Sequence, residues 1–452
     1  FLPRIGPLVM RAPLLGRLAA ASAFVLATTL LGSPGATAQE PATTAQEPAA
    51  DAMRPKAVFN DPVTSPNAVR DELVSLIKDT EPNGLIRGSI FLFTDDAVRN
   101  ALVAAHRDRG VRVQLLFDNL AVADQKLVDG VPKATGSEYS TLGQQLGRVV
   151  EYGETVNADT AGSFVLACPE RRGCIGNRTM AQSGDDVEYA INHNKFFLFS
   201  KVGTTPNVVF QSSANLTASH RTDYFNNAVV LPHSGLYDEY GLYWKDQLTH
   251  GTSGPGLASY YRTTDVGPYK TYFFPRIESD KDPAEGSAVD PRQDASTDTI
   301  VSLLKNVTCA ASPVTTIRIG MYAFTRTQVA DKLRDLQAAG CQVRVVVNGD
   351  KGSVGSAVSA TLRSAGLTTL RKCAGPDAGS YGVHSKYMLI DGTYLGGPRK
   401  LAFTGSQNYT YPNLRSQDET LLKVDNAGIY EAYRQNFDET LMGSPACQGT
   451  LG

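Results

Sequence analysis

His193-Asn194-Lys195-Phe196-Phe197-Leu198-Phe199-Ser200 and His384-Ser385-Lys386-Tyr387-Met388-Leu389-Ile390-Asp391 are two copies of one pattern: a histidine, a lysine two residues on, then an apolar run. Alternate side chains of a strand share a face, so histidine and lysine point the same way while the run behind them anchors the strand in a core. Each copy leads to a small polar turn, Ser212-Ser213-Ala214-Asn215-Leu216-Thr217 in the first case and Gly405-Ser406-Gln407-Asn408-Tyr409-Thr410 in the second. Histidine, lysine and asparagine therefore recur twice in the same order.

Outward from these motifs the repeat extends over most of the chain. Val74–Lys78 and Val301–Lys305 lie on helix-like segments. Ser89–Thr94 and Gly320–Thr325 follow as strand-like runs. A helical pattern follows each, with Val98, Leu102 and Val103 matched by Val329, Leu333 and Leu336, and each helix stops at a glycine, Gly110 or Gly340. A second, nearly continuous apolar strand closes the unit, Val111–Phe117 and Gln342–Val347. Strand, helix and buried strand make a βαβ unit. The fold class expected is α/β, with two similar lobes related by a pseudo-twofold, at residues 61–250 and 292–448. Residues 251–291, rich in Gly, Pro, Tyr and Asp, read as the connection between them.

The N-terminal region reads as a targeting segment. Arg11 and Arg17 precede the apolar run Leu18–Leu31, and Ala36-Thr37-Ala38 is a small-residue cleavage site. Residues 1–38 are thus expected to be a signal peptide starting at Met10, with an uncleaved anchor helix as the rival reading. Residues 39–60 read as a disordered spacer. Loss of residues 1–38 removes Arg4, Arg11 and Arg17 and leaves 40 basic against 45 acidic residues, a net charge of −5. Such a balance argues against a dedicated DNA binder, which usually needs a strong basic surplus, though not against a local basic groove. Six cysteines in an exported chain favour disulfides. Cys168 and Cys174 bracket a short loop and are expected to pair. Cys309, Cys341, Cys373 and Cys447 leave three pairings. Cys309 with Cys341 is preferred because both fall at one end of a strand-helix-strand unit. Zinc is the alternative, but the spacing offers no paired C-x-x-C.

Two His-Lys-Asn sets suit attack on a phosphate diester. Lys195, Lys386, Asn215 and Asn408 can hold the non-bridging oxygens and offset the charge of the transition state. One imidazole can attack phosphorus and form a phosphohistidine. The other can protonate the leaving oxygen and then activate water. No metal or other cofactor is called for.

The motifs resemble the two H-x-K-x-x-x-x-D signatures of the phospholipase D superfamily, and the G-S-x-N segments are similar as well. That resemblance spans most of the mature chain. It implies two α/β halves with the active site at their interface, in one chain that needs no dimer. Two departures stand out. Ser200 replaces the first motif aspartate. Glu419 sits where the family places a carboxylate behind the histidine, while aligning the halves puts Asn227 at that place in the first copy. Likeness to the tyrosyl-DNA phosphodiesterase branch implies that His193 is the nucleophile with an amide behind it. It likewise implies that His384, backed by Glu419, is the general acid and base. A carboxylate would raise the pKa of the histidine that must carry a proton.

The resemblance fixes the reaction class better than the substrate. A secreted phospholipase D, acting on glycerophospholipids such as phosphatidylcholine at a membrane or micelle surface, is the leading expectation. An extracellular nuclease is the alternative partner class. A degenerate protein that only binds phosphorylated surfaces is the third reading, supported by Ser200 and Asn227. Ser200, Asn227, Asp391, Ser213 and Ser406 are expected behind the reacting groups or as supports of the fold. His106, His220, His233 and His250 lack repeated context and read as surface or structural residues. Asn215 and Asn408 also fit the glycosylation sequon, a reading set aside because both belong to the repeat. Tyr237, Tyr240, Tyr243 and Trp244 read as a helix face on the core rather than an interfacial patch.

Overall fold

The computed structural model describes residues 53–122, 125–128, 131–134, 138–181, 187–278, 293–310 and 312–451. The expected signal peptide, and the spacer up to residue 52, lie outside them. No helix among the described residues is long and apolar enough to cross a membrane.

Two mixed sheets carry the fold, and seven consecutive strands of one have counterparts in the other. The first runs Lys56–Asn60, Tyr224–Pro232, Thr205–Ser212, Lys195–Val202, Leu85–Ile90, Arg112–Phe117, Phe164–Ala167, Val149–Val150. The second runs Arg262–Val266, Tyr269–Phe273, Thr420–Val424, Gly397–Gly405, Lys386–Tyr394, Thr316–Met321, Gln342–Asn348, Thr369–Cys373. In each, the motif strand sits near the middle, antiparallel to the first strand of the βαβ unit. The two strands of that unit are parallel, Leu85–Ile90 on Arg112–Phe117 and Thr316–Met321 on Gln342–Asn348. Their continuous apolar character follows from burial on both faces.

Local signals set the crossover helices. Asp95 caps the helix Asp96–Arg109 by accepting from the amides of Ala97 and Val98, and Gly110 ends it at φ 65°. These helices cover the outer faces of the sheets and close a separate apolar core in each lobe, around Leu102, Val113 and Phe197 in one and Leu333, Val345 and Met388 in the other. A third core lies between the sheets. There Phe196, Leu198, Tyr240, Tyr243 and Trp244 of the first lobe meet Tyr387, Leu389, Tyr433 and Phe437 of the second. The aromatic residues of the helix Ser234–Thr252 are therefore core, as their spacing implied, with Tyr237 packed on the margin.

Two expectations about the borders need correction. Residues 56–60 are an edge strand of the first sheet, paired with Asn226–Val230, not spacer. Within the expected connection, Arg262–Val266 and Tyr269–Phe273 form a hairpin that adds to the second sheet through Thr420–Val424. Its turn at Gly267 (φ 66°) and Pro268 and its β-branched and aromatic residues explain the pairing. The disulfides are Cys168–Cys174, Cys309–Cys341 and Cys373–Cys447.

Candidate active site

Both motif histidines precede their strands at the inner edge of the two sheets. Backbone pairing across the lobes fixes each one. The His193 amide donates to the Asp418 carbonyl (3.0 Å), and the Asp418 amide to the Ile191 carbonyl (2.9 Å). In the matching place the His384 amide donates to the Phe225 carbonyl (2.8 Å), while Gly382–Val383 runs parallel to Tyr224–Phe225. The residue after each of these carbonyls, Glu419 or Asn226, is thereby carried to the histidine of the opposite lobe.

His193 Nδ1 donates to Glu419 Oε1 at 2.6 Å. Glu419 also accepts from Asn413 and from the Ser406 hydroxyl. His384 Nδ1 donates to Asn226 Oδ1 at 3.0 Å. The Asn226 amide cannot be turned round, because its Nδ2 donates to the carbonyl of His220 (2.8 Å) and its Oδ1 accepts from Ser213 (3.0 Å). This reverses the expected pairing: the carboxylate stands behind His193, and the amide behind His384. The support on the first strand is also Asn226, not Asn227. Asn227 points the other way and donates to Thr404 and Tyr433. Adjacent strand residues face opposite sides, so a slip of one residue in aligning the halves changes the face.

Ser213 and Ser406 act alike, each holding one support residue and accepting from the next amide, that of Asn227 or Thr420. The two motif-end residues are not at the site. Ser200 accepts from the Leu85 amide at the far end of its strand, and Asp391 accepts from Tyr430. Both hold the fold.

The six side chains expected to react are all buried. His193, Lys195, Asn215, His384, Lys386 and Asn408 are each at most 7% exposed. Burial at Asn215 and Asn408 removes them as glycosylation acceptors. Each lysine donates to the carbonyl of its own motif histidine, Lys195 to His193 (2.6 Å) and Lys386 to His384 (2.7 Å). Each also lies 5.0 Å from the centre of an aromatic ring at equivalent positions, Phe91 for Lys195 and Tyr322 for Lys386.

The electrostatics follow from two buried lysines side by side with two buried histidines. Burial pushes Lys195 down to about 7, against the pull of Glu419 and Asp118, and lowers Lys386 as well. Burial, then the lysines, hold both histidines below their ordinary range. Burial lifts Glu419 to about 8, opposed by Lys195, Ser406, Lys386 and Asn413. Among the described residues no group of His, Cys, Asp and Glu is arranged to hold a metal ion.

The short loop closed by Cys168–Cys174 braces the same region. The Ile175 and Gly176 amides donate to the buried Asp418 carboxylate (2.9 and 2.6 Å). The loop approaches so closely that a Cβ on Gly176 would stand 2.1 Å from the Ser416 carbonyl. Asp418 thus fastens the first lobe's loop beside Glu419. It was missed in the sequence, as were Asn226, Asn413 and His220. His220 packs edge-to-face on His384 with ring centres 4.5 Å apart. A signal existed: His220 and Asn413 each follow their motif asparagine by five positions.

A family model described as "Cardiolipin synthase, PLD-like domain" matches residues 307–441, which hold the second motif, Asn408 and Glu419. Among curated relatives, the mitochondrial cardiolipin hydrolase of Xenopus tropicalis is 27% identical over 122 residues, covering 27% of this chain and 52% of that protein. The mitochondrial cardiolipin hydrolase of Chlamydomonas reinhardtii is 23% identical over 141 residues, covering 31% and 58%. The chain thus spans about half the length of the curated relatives it matches. The solved structure of phosphatidylserine synthase from Haemophilus influenzae aligns over 87% of this chain and 86% of that one, with a TM-score of 0.53 at 12% identity, a likeness of fold.

Proposed function

Given that the chain belongs to the phospholipase D superfamily, we propose that it cleaves phosphate diesters through a phosphohistidine on His193. The observation that carries the reading is the crossed support of two histidines over two lysines in one buried cleft. Glu419 fixes the proton of His193 on Nδ1, so Nε2 presents a lone pair. As Nε2 bonds to phosphorus the ring gains positive charge, and the carboxylate 2.6 Å away stabilises it. The bond from phosphorus to the leaving oxygen breaks, and that oxygen takes a proton from Nε2 of His384, whose doubly protonated form the bound diester anion favours against the burial that disfavours it. A water then gives its proton to His384 as its oxygen attacks phosphorus. The phosphorus–nitrogen bond breaks and His193 is regenerated. A neutral amide behind His384 suits this role, since an imidazolium beside an amide gives up its proton more readily than one beside a carboxylate. Lys195, Lys386, Asn215 and Asn408 hold the non-bridging oxygens.

Within that reaction class we take a glycerophospholipid as the substrate, with phosphatidylcholine the first head group to test. The names of the matched relatives support a phospholipid. The net charge of −5 expected after removal of residues 1–38 supports it over nucleic acid. The three disulfides support an oxidising, exported setting. The test is incubation with phosphatidylcholine vesicles containing ethanol, beside His193→Ala. Phosphatidylethanol from the unaltered protein alone supports the reading. Cleavage of single-stranded DNA without lipid product moves the nuclease reading forward.

A further inference from the structure

His220 is the third histidine of the cleft. It sits at the end of the turn that carries Asn215, and three contacts tie it to the reacting groups. Its Nε2 lies 2.9 Å from Asn215 Nδ2. Its ring meets the ring of His384, with centres 4.5 Å apart. Its carbonyl accepts from Asn226 Nδ2 and so turns Asn226 Oδ1 toward His384. On the other side of the ring, Nδ1 stands 2.7 Å from the Thr217 hydroxyl, which can donate to it. In that tautomer Nε2 carries the proton. As placed, Asn215 keeps Oδ1 buried with no hydrogen-bond partner among the described residues and presents Nδ2 to His220. Exchanging the two ends of the amide pairs Oδ1 with the Nε2 proton of His220. It also frees Nδ2 to donate to a phosphate oxygen.

We propose that His220 is a positioning residue for the leaving-group half of the reaction, setting the donor end of Asn215 toward the phosphate and holding the His384 ring against Asn226. The proposal rests on the phosphodiesterase reading above. Burial and the neighbouring lysines push His220 down to about 3, so it stays neutral and adds no charge beside a protonated His384. The second lobe shows the same device with other chemistry. Asn413, also capped through a threonine, donates to Glu419 and approaches His193. The two turns thus serve opposite steps, Asn413 the attack and His220 the proton transfer.

The test compares His220→Ala, His220→Gln and Asn413→Ala on two diesters. Bis(p-nitrophenyl) phosphate expels p-nitrophenolate, which needs little help from an acid. Phosphatidylcholine expels an alkoxide, which needs a full proton. His220→Ala is expected to slow single-turnover cleavage of phosphatidylcholine by about tenfold or more, and the p-nitrophenol burst by less than about threefold. The smaller loss common to both substrates reports the Asn215 contact, and the excess on phosphatidylcholine the His384 ring. His220→Gln, which restores an N–H to Asn215, is expected to recover the part of the loss common to both substrates. Asn413→Ala is expected to slow both substrates alike. Equal losses on both substrates for His220→Ala, or no loss on either, would overturn the proposal. So would a failure of His220→Gln to recover activity at an unchanged melting temperature. If the unaltered protein produces neither burst nor lipid product, the parent reading falls and this one with it.

Discussion

Replacing Glu419 with Gln tests why a carboxylate stands behind the nucleophile. The substitution keeps the shape, and the amide oxygen can still accept from His193 Nδ1 across the present 2.6 Å. What is lost is the negative charge that Glu419 takes on as the His193 ring turns positive. A hydrogen bond to an ionised partner is worth roughly 1.5–3 kcal/mol against about 1 kcal/mol for a neutral one. Low effective dielectric in a cleft where His193 is 7% exposed and Glu419 fully buried adds to the difference. A loss of about 2–4 kcal/mol at the transition state for attack corresponds to roughly 30- to 1000-fold in rate. The assay is the pre-steady-state release of p-nitrophenol, which isolates formation of the phosphoenzyme. The folded state should not suffer, because burial already disfavours the charged form of Glu419, lifting its pKa to about 8. An equal or higher melting temperature together with the slowed burst is therefore expected. A burst within about threefold of the unaltered protein would refute the reasoning.

Lys195, pushed down to about 7, is charged below that pH and neutral above it, so kcat/KM for an anionic diester should fall as pH rises through about 7; a profile flat to pH 9 would remove Lys195 from phosphate binding. Asp418→Asn should weaken the grip on the Ile175 and Gly176 amides and lower the melting temperature by several degrees, a cost of about 1–3 kcal/mol, with kcat reduced through displaced Glu419. Ser200→Ala and Asp391→Ala, read out as kcat on bis(p-nitrophenyl) phosphate, should each leave turnover within about twofold, because neither reaches the cleft.

The repeat made the lobes legible: two apolar runs behind two His-x-Lys pairs could be nothing but paired strands in a core, and the disulfide at Cys309–Cys341 followed from the βαβ ends it joins. The crossing of the supports was not legible. It arises from backbone pairing of His193 with Asp418 and of His384 with Phe225, contacts between distant segments that leave no local pattern. Asn226 was missed by one residue because Asn226-Asn227 offers two amides in succession and only the strand face tells them apart. His220 was hidden for a different reason: its counterpart Asn413 has the same place but another chemistry, so matching residue types failed where matching positions would have succeeded. The hairpin at residues 262–273 was masked by a composition that also suits a linker.

The most direct test of the crossed arrangement is to locate the covalent phosphate. His384→Asn leaves attack intact on a substrate with a good leaving group but removes the group that activates water. After a brief exposure to bis(p-nitrophenyl) phosphate and an alkaline quench, peptide mass spectrometry should find the p-nitrophenyl phosphoryl adduct on His193. The adduct should be absent from His193→Asn. Phosphate on His384 in the unaltered protein, or on neither histidine while turnover proceeds, would contradict the account.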